Sequence, residues 1–125
     1  MITIYGIKNC DSVKKAVSFF KNNNIPYEIF DFKTQKLSCD TISRWLTKTD
    51  MKTLFNARST TYRNLKLKEL NLNEEEQEKW LCKENLLIKR PVIEYKDEVI
   101  VGFKEEIYTR IFKWVKKYQQ SLVKN

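Results

Sequence analysis

The sequence contains no histidine, and this absence removes more chemistry than any other. Ser-His and Cys-His nucleophiles both need an imidazole base, so neither is available. A zinc site would have to do without its commonest nitrogen ligand, and no metal is expected. The three cysteines, Cys10, Cys39 and Cys82, form no C-x-x-C pair, because Val13 stands three residues after Cys10. An odd number of scattered thiols argues against a disulfide framework; it leaves buried structural thiols or one nucleophile working alone. No apolar run approaches the roughly 20 residues of a membrane span, and the N-terminus has no signal-peptide layout. A cytoplasmic chain with no membrane partner is therefore expected. Glycine and proline occur twice each, against three Trp, six Tyr and seven Phe, which is not the composition of a disordered chain.

What is present is enough for one domain with a real core: 125 residues with a net charge of +8, from 24 Lys and Arg against 16 Asp and Glu. Such a balance suits nucleic acid, anionic substrates or acidic protein partners. The lysines are spread along the chain, with only a modest concentration between Lys104 and Lys124. The pattern reads as a solvated lysine-rich surface, and direct nucleic-acid binding is not expected.

The stretch Ile2 to Val17 reads as strand, loop and helix: Ile2, Ile4 and Tyr5, a break at Gly6, then Val13, Ala16, Val17 and Phe20 at helical spacing. Asn22-Asn23-Asn24 stops that helix, and Tyr27 to Asp31 alternates as a second strand. The resulting βαβ unit implies parallel strands and a right-handed crossover. Ser38 is a candidate N-cap for a helix carrying Ile42, Trp45 and Leu46, and Met51 to Leu70 reads as short helical turns around a polar loop. Asn73 to Glu76 has capping-box spacing ahead of Trp80 and Leu81. Val92 to Tyr95 and Val99 to Val101 flank a Lys-Asp-Glu turn as an antiparallel hairpin, and a last helix is expected over Lys104 to Gln120. The order is that of an α/β domain with a mixed four-stranded sheet, a thioredoxin-like core with a helical insertion. Residues 1–120 form that domain, with the insert over about 38–85 and a tail at 121–125.

Cys10 lies where the first helix begins. A helix N-terminus offers unpaired N–H groups and the positive end of the dipole, which favour a thiolate, and Lys8, Lys14 and Lys15 add charge of the same sign. The alternative is a small buried apolar residue. Arg58, within Asn56 to Arg63, is either a solvated surface arginine or a guanidinium fork for an oxyanion. Pro91 either simply starts a strand or, in a thioredoxin-like fold, follows Arg90 through a cis bond that sets backbone groups opposite the cysteine. Gly102 allows close backbone approach or merely leads into the last helix. Cys39 and Cys82 are read as structural, unless the fold brings one near enough to resolve a mixed disulfide.

Taken together, these motifs resemble the arsenate reductase–related family that includes the ArsC, Spx and YffB branches, and the YffB branch most. The residues are Tyr5-Gly6-Ile7-Lys8-Asn9-Cys10-Asp11 with Lys14-Lys15-Ala16, then Asn56-x-Arg58-x-Thr60-Thr61-Tyr62-Arg63-x-Leu65, Ile88-Lys89-Arg90-Pro91 and Val101-Gly102-Phe103. The resemblance implies a redox-active thiol at Cys10. In the arsenate-reducing branch, arginines matching Arg58 and Arg90 hold the oxyanion. A third arginine would fall at about Phe103; its absence counts against arsenate, since one charge-assisted contact is worth about 1.5–3 kcal/mol. Spx-type regulators, which bind RNA polymerase, use a C-x-x-C switch whose second cysteine is Val13 here. The YffB-like reading is a glutathione-dependent thiol reductase with no bound cofactor. Cys10 is its nucleophile, Arg58 and Arg90 its anion-binding groups, Lys8 an activating charge, and Asn9 and Thr60 hydrogen-bond donors. An external thiol, glutathione or a glutaredoxin, would resolve the mixed disulfide.

Overall fold

A computed structural model describes residues 1–112. Strand β1 (Ile2–Gly6) runs parallel to β2 (Tyr27–Asp31) and antiparallel to β3 (Val92–Tyr95), which turns back as β4 (Glu98–Val101). The sheet order is β2-β1-β3-β4, the mixed four-stranded arrangement expected. Helix α1 (Asp11–Asn22) makes the crossover from β1 to β2, and Asn24 beyond its end takes a left-handed φ of 55°.

The period of two along the strands divides the core. Ile2 and Ile4 of β1 and Ile93 of β3 pack with Val13, Ala16 and Phe20 of α1 and with Tyr108 and Phe112. Those last two belong to α6, helical over 105–112; Trp114, Val115 and Tyr118, read above as part of the same apolar face, lie outside the described residues. On the other face, Tyr5 and Val92 meet the insert, where Trp45, Leu54, Leu67, Leu81 and Leu87 are buried. Each strand thus covers two layers with alternate side chains, the ordinary solution for a sheet sandwiched by helices.

The insert holds α2 (Cys39–Trp45), α3 (Met51–Leu54), α4 (Thr60–Asn64) and α5 (Glu74–Lys83), with 3-10 turns at Leu67–Leu70 and Asn85–Leu87. Each of the four helices starts on a side-chain cap: Ser38, Asp50, Ser59 and Asn73 each accept a bond from a backbone N–H of the first turn. Asn73 and Glu76 complete the capping box. The polar stretch after Asn56 is therefore a turn and a capped helix rather than an open loop. The hairpin also differs slightly from expectation: Glu98 already pairs with Tyr95, so the turn is Lys96-Asp97 alone, with Lys96 at φ 53°.

A polar network ties α2 to the sheet. Glu94 accepts from the Tyr5 hydroxyl (2.9 Å), the Arg44 guanidinium (2.6 Å) and the Trp45 indole (3.0 Å). Burial alone would raise this carboxyl, but the three donors overcome it and hold Glu94 below the usual range. Burial, then the bond to Glu94, raises the Tyr5 phenol far above its ordinary value. The stabilisation from a depressed carboxyl is complete above the unfolded glutamate range and is lost as pH falls through the folded value. Glu94→Gln is expected to cost about 2 kcal/mol at neutral pH, and the gap to wild type should close as urea unfolding is followed down to about pH 3.

Candidate functional site

Cys10 is the N-cap of α1, half-buried against the α1-face core. Its carbonyl accepts the N–H of Lys14 at 2.9 Å, but its side chain caps nothing. Every helix of the insert from α2 to α5 begins on Ser, Asp or Asn with a cap bond made, whereas the twelve-residue α1 begins on a cysteine without one. Local stability does not account for that choice. It leaves the first turn without a side-chain acceptor, at the end of the helix where negative charge is welcome. Gly6 shows how tightly the junction is drawn: a Cβ there would lie 2.7 Å from Cγ2 of Val13 and 3.7 Å from Cβ of Arg90. Arg90 therefore packs over the end of the strand that leads to Cys10.

The Arg90–Pro91 peptide is cis, and Pro91 is buried. Gly102 donates its N–H to the Pro91 carbonyl at 2.7 Å and accepts from the Tyr108 hydroxyl at 2.7 Å. Its φ of +85° is the reason for glycine.

Arg58 and Arg90 are joined through the backbone. Phe55 bridges Ile88, with Asn56 N–H donating to the Leu87 carbonyl and Lys89 N–H to that of Leu54, each at 2.8 Å. This antiparallel pairing sends the two chains apart, but the Arg90 side chain folds back to donate to the Leu86 carbonyl at 3.3 Å. The Arg58 segment leaves the bridge on the other chain, after Asn56. That segment is firmly built: Asn56 Oδ1 accepts from Arg58 N–H, and Ser59 caps α4. Arg63 donates to both the Arg58 carbonyl and Thr60 Oγ1 at 3.3 Å. Arg63 is a positioning group that the sequence reading gave no role, although its three-residue spacing from Thr60 on a helix was a usable signal. Thr60 is thus already an acceptor, with its own proton free to donate.

Lys8, Asn9 and Arg58 are exposed. Lys8, Arg58 and Arg90 form no ion pair with a carboxylate of the described residues, unlike Arg44 with Glu94 and Lys79 with Glu75. Lys14 and Lys15 line a groove of about 540 Å³ along α1 with Phe19 and Phe103. Phe103 stands edge-on to Tyr108, ring centres 4.8 Å apart, so this wall is aromatic where a third arginine would have stood.

Cys39 and Cys82 require a correction. They are not scattered in the fold but meet as a pair between α2 and α5, Cα atoms 5.1 Å apart. The sulfurs met because those helices pack side by side, a proximity that a separation of 43 residues conceals. Cys82 belongs to the insert face and Cys10 to the α1 face, so neither cysteine of the pair is placed to resolve a bond at Cys10.

The sequence pattern of the ArsC family matches residues 5–111. The chain belongs to the ArsC family. It is 37% identical over 113 residues to an uncharacterised protein of Haemophilus influenzae, covering 90% of this chain and 99% of that one. A solved YffB protein superposes with a TM-score of 0.81 at 30% identity, over 88% of this chain and 97% of the other. The global transcriptional regulator Spx of Listeria innocua is 28% identical, over 95% and 93% of the two chains. This ArsC-family fold is thus shared with YffB-like proteins and with Spx regulators, and it is thioredoxin-like.

Proposed function

We propose that this ArsC-family protein is a thiol–disulfide reductase working through Cys10, with glutathione as co-substrate. The observation that carries the reading is the uncapped Cys10 at the start of α1, two residues after Lys8, which has no carboxylate partner among the described residues. The Cys10 thiolate attacks a glutathione mixed disulfide, RS–SG, forming Cys10–S–SG and releasing RS⁻. A second glutathione thiolate then attacks that bond, giving oxidised glutathione and regenerating the Cys10 thiolate. Glutathione brings two carboxylates, which Arg58, Arg90 and Lys8 are suited to hold, while Asn9 and Thr60 donate hydrogen bonds. The aromatic wall at Phe103 favours a thiol substrate over arsenate, and Val13, buried in the core, leaves no C-x-x-C switch of the Spx kind.

A substrate panel tests this: a glutathione mixed disulfide, a small disulfide and arsenate, with glutathione as reductant. The mixed disulfide should turn over fastest. Arg58→Ala and Arg90→Ala should each lower kcat/KM by about 10- to 100-fold, the size of one charge-assisted contact. Arsenate turnover at the mixed-disulfide rate would overturn the substrate assignment. No turnover of any substrate, together with binding of purified RNA polymerase unaffected by Cys10→Ser, would favour a regulator without catalysis.

A further inference from the structure

We infer that Cys39 and Cys82 form a second redox centre, a reversible dithiol that gives two electrons to a small disulfide such as oxidised glutathione. The pair is one rung of a ladder between α2 and α5. One turn along, four residues after Cys39 and four before Cys82, Ser43 Oγ donates to Glu78 Oε2 at 3.0 Å. On the other side the Asn85 side chain accepts from Leu37 N–H and donates to the Leu81 carbonyl, both at 2.9 Å. Asn85 is buried, so this amide is a fixed clamp between the two cysteine-bearing segments. Contacts on both sides thus hold the helices in register without the sulfurs. The Cα separation of 5.1 Å lies within the range that a disulfide spans without backbone movement. Each thiol therefore meets the other at high effective concentration, and the bond can close or open with the fold unchanged.

Exposure sets the order of events. Cys39 is exposed, whereas Cys82 is half-buried against the insert core. The Cys39 thiolate attacks glutathione disulfide, forming Cys39–S–SG and releasing one glutathione thiolate. The Cys82 thiolate then attacks the Cys39 sulfur and expels the second. Two cysteine thiols are oxidised to one disulfide, one glutathione disulfide is reduced to two thiols, and the two cysteine protons pass to the departing thiolates. Reduction runs the same path backwards, from external attack at exposed Cys39.

The test uses full-length Cys10→Ser protein, which removes the first centre and keeps this result independent of the proposed reductase activity. In reduced glutathione two thiols should titrate. In oxidised glutathione none should, with no adduct retained, a mass lower by two hydrogens, and a peptide map linking Cys39 to Cys82. Adding Cys82→Ser should trap a glutathione adduct on Cys39. Two free thiols persisting in oxidised glutathione, or two separate adducts, would overturn the proposal. Wild-type protein gives a parallel readout, the same Cys39–Cys82 cross-linked peptide, should the variant fold poorly.

Discussion

Cys10→Ser protein is expected to lose turnover of glutathione mixed disulfides by a factor on the order of 10³ or more, about 4 kcal/mol of barrier, while becoming more stable. The loss follows from the chemistry: serine offers no thiolate, and with no histidine in the chain no imidazole is present to activate a hydroxyl. The gain follows from the cap. Cys10 has extended N-cap geometry, φ −137° and ψ 125°, and makes no side-chain cap bond. A serine hydroxyl there can accept a first-turn N–H as Ser38 and Ser59 do in α2 and α4. Such a bond is worth about 1 kcal/mol. Urea unfolding in reductant should move the midpoint upward as activity vanishes. A Cys10→Ser protein that is fully active, or that loses activity only because it unfolds, would remove Cys10 from the proposed mechanism. The opposed signs separate a functional cysteine from a packing one, for which serine would simply destabilise.

The same residues show why some of the fold was legible and some of the site was not. Signals that act within a few residues survived translation into three dimensions: the capping box at Asn73, the Ser38 cap, the asparagine stop after α1 and the first strand ending at Gly6 all fell where expected. The hairpin was placed one residue short because exposed Glu98 on the edge strand β4 breaks the apolar pattern without breaking the ladder. What depends on how elements pack was hidden. The ladder of Ser43–Glu78, Cys39–Cys82 and Leu37–Asn85 exists only once α2 lies against α5. The link between the segments that carry Arg58 and Arg90 depends on the Phe55–Ile88 bridge, and the Arg90 side chain folds back along its own backbone to Leu86. Resemblance named both arginines; the Phe55–Ile88 bridge that links their two segments belongs to the packing.

Trp45→Ala is expected to be the most destabilising single substitution on the insert side, at about 3–5 kcal/mol, against a total of about 5–15 kcal/mol for a domain of this kind. Trp45 is fully buried, stands edge-on to Tyr5 with ring centres 4.8 Å apart, and donates its indole N–H to Glu94. Removing it opens a cavity between the sheet and α2 and takes one of three donors from a carboxylate with limited access to water. Trp45→Phe separates the two effects. It keeps most of the packing and loses only the N–H, so about 1–2 kcal/mol should go, together with part of the acid sensitivity that Glu94 confers. Urea unfolding in reductant, with Cys39 and Cys82 open, keeps the disulfide out of the comparison. If Trp45→Ala cost under about 1 kcal/mol, the insert core would have to collapse around the gap, and Trp45 would not be what fixes α2 to the sheet. If Trp45→Phe cost as much as alanine, the hydrogen bond to Glu94, rather than the filled volume, would be the dominant contribution.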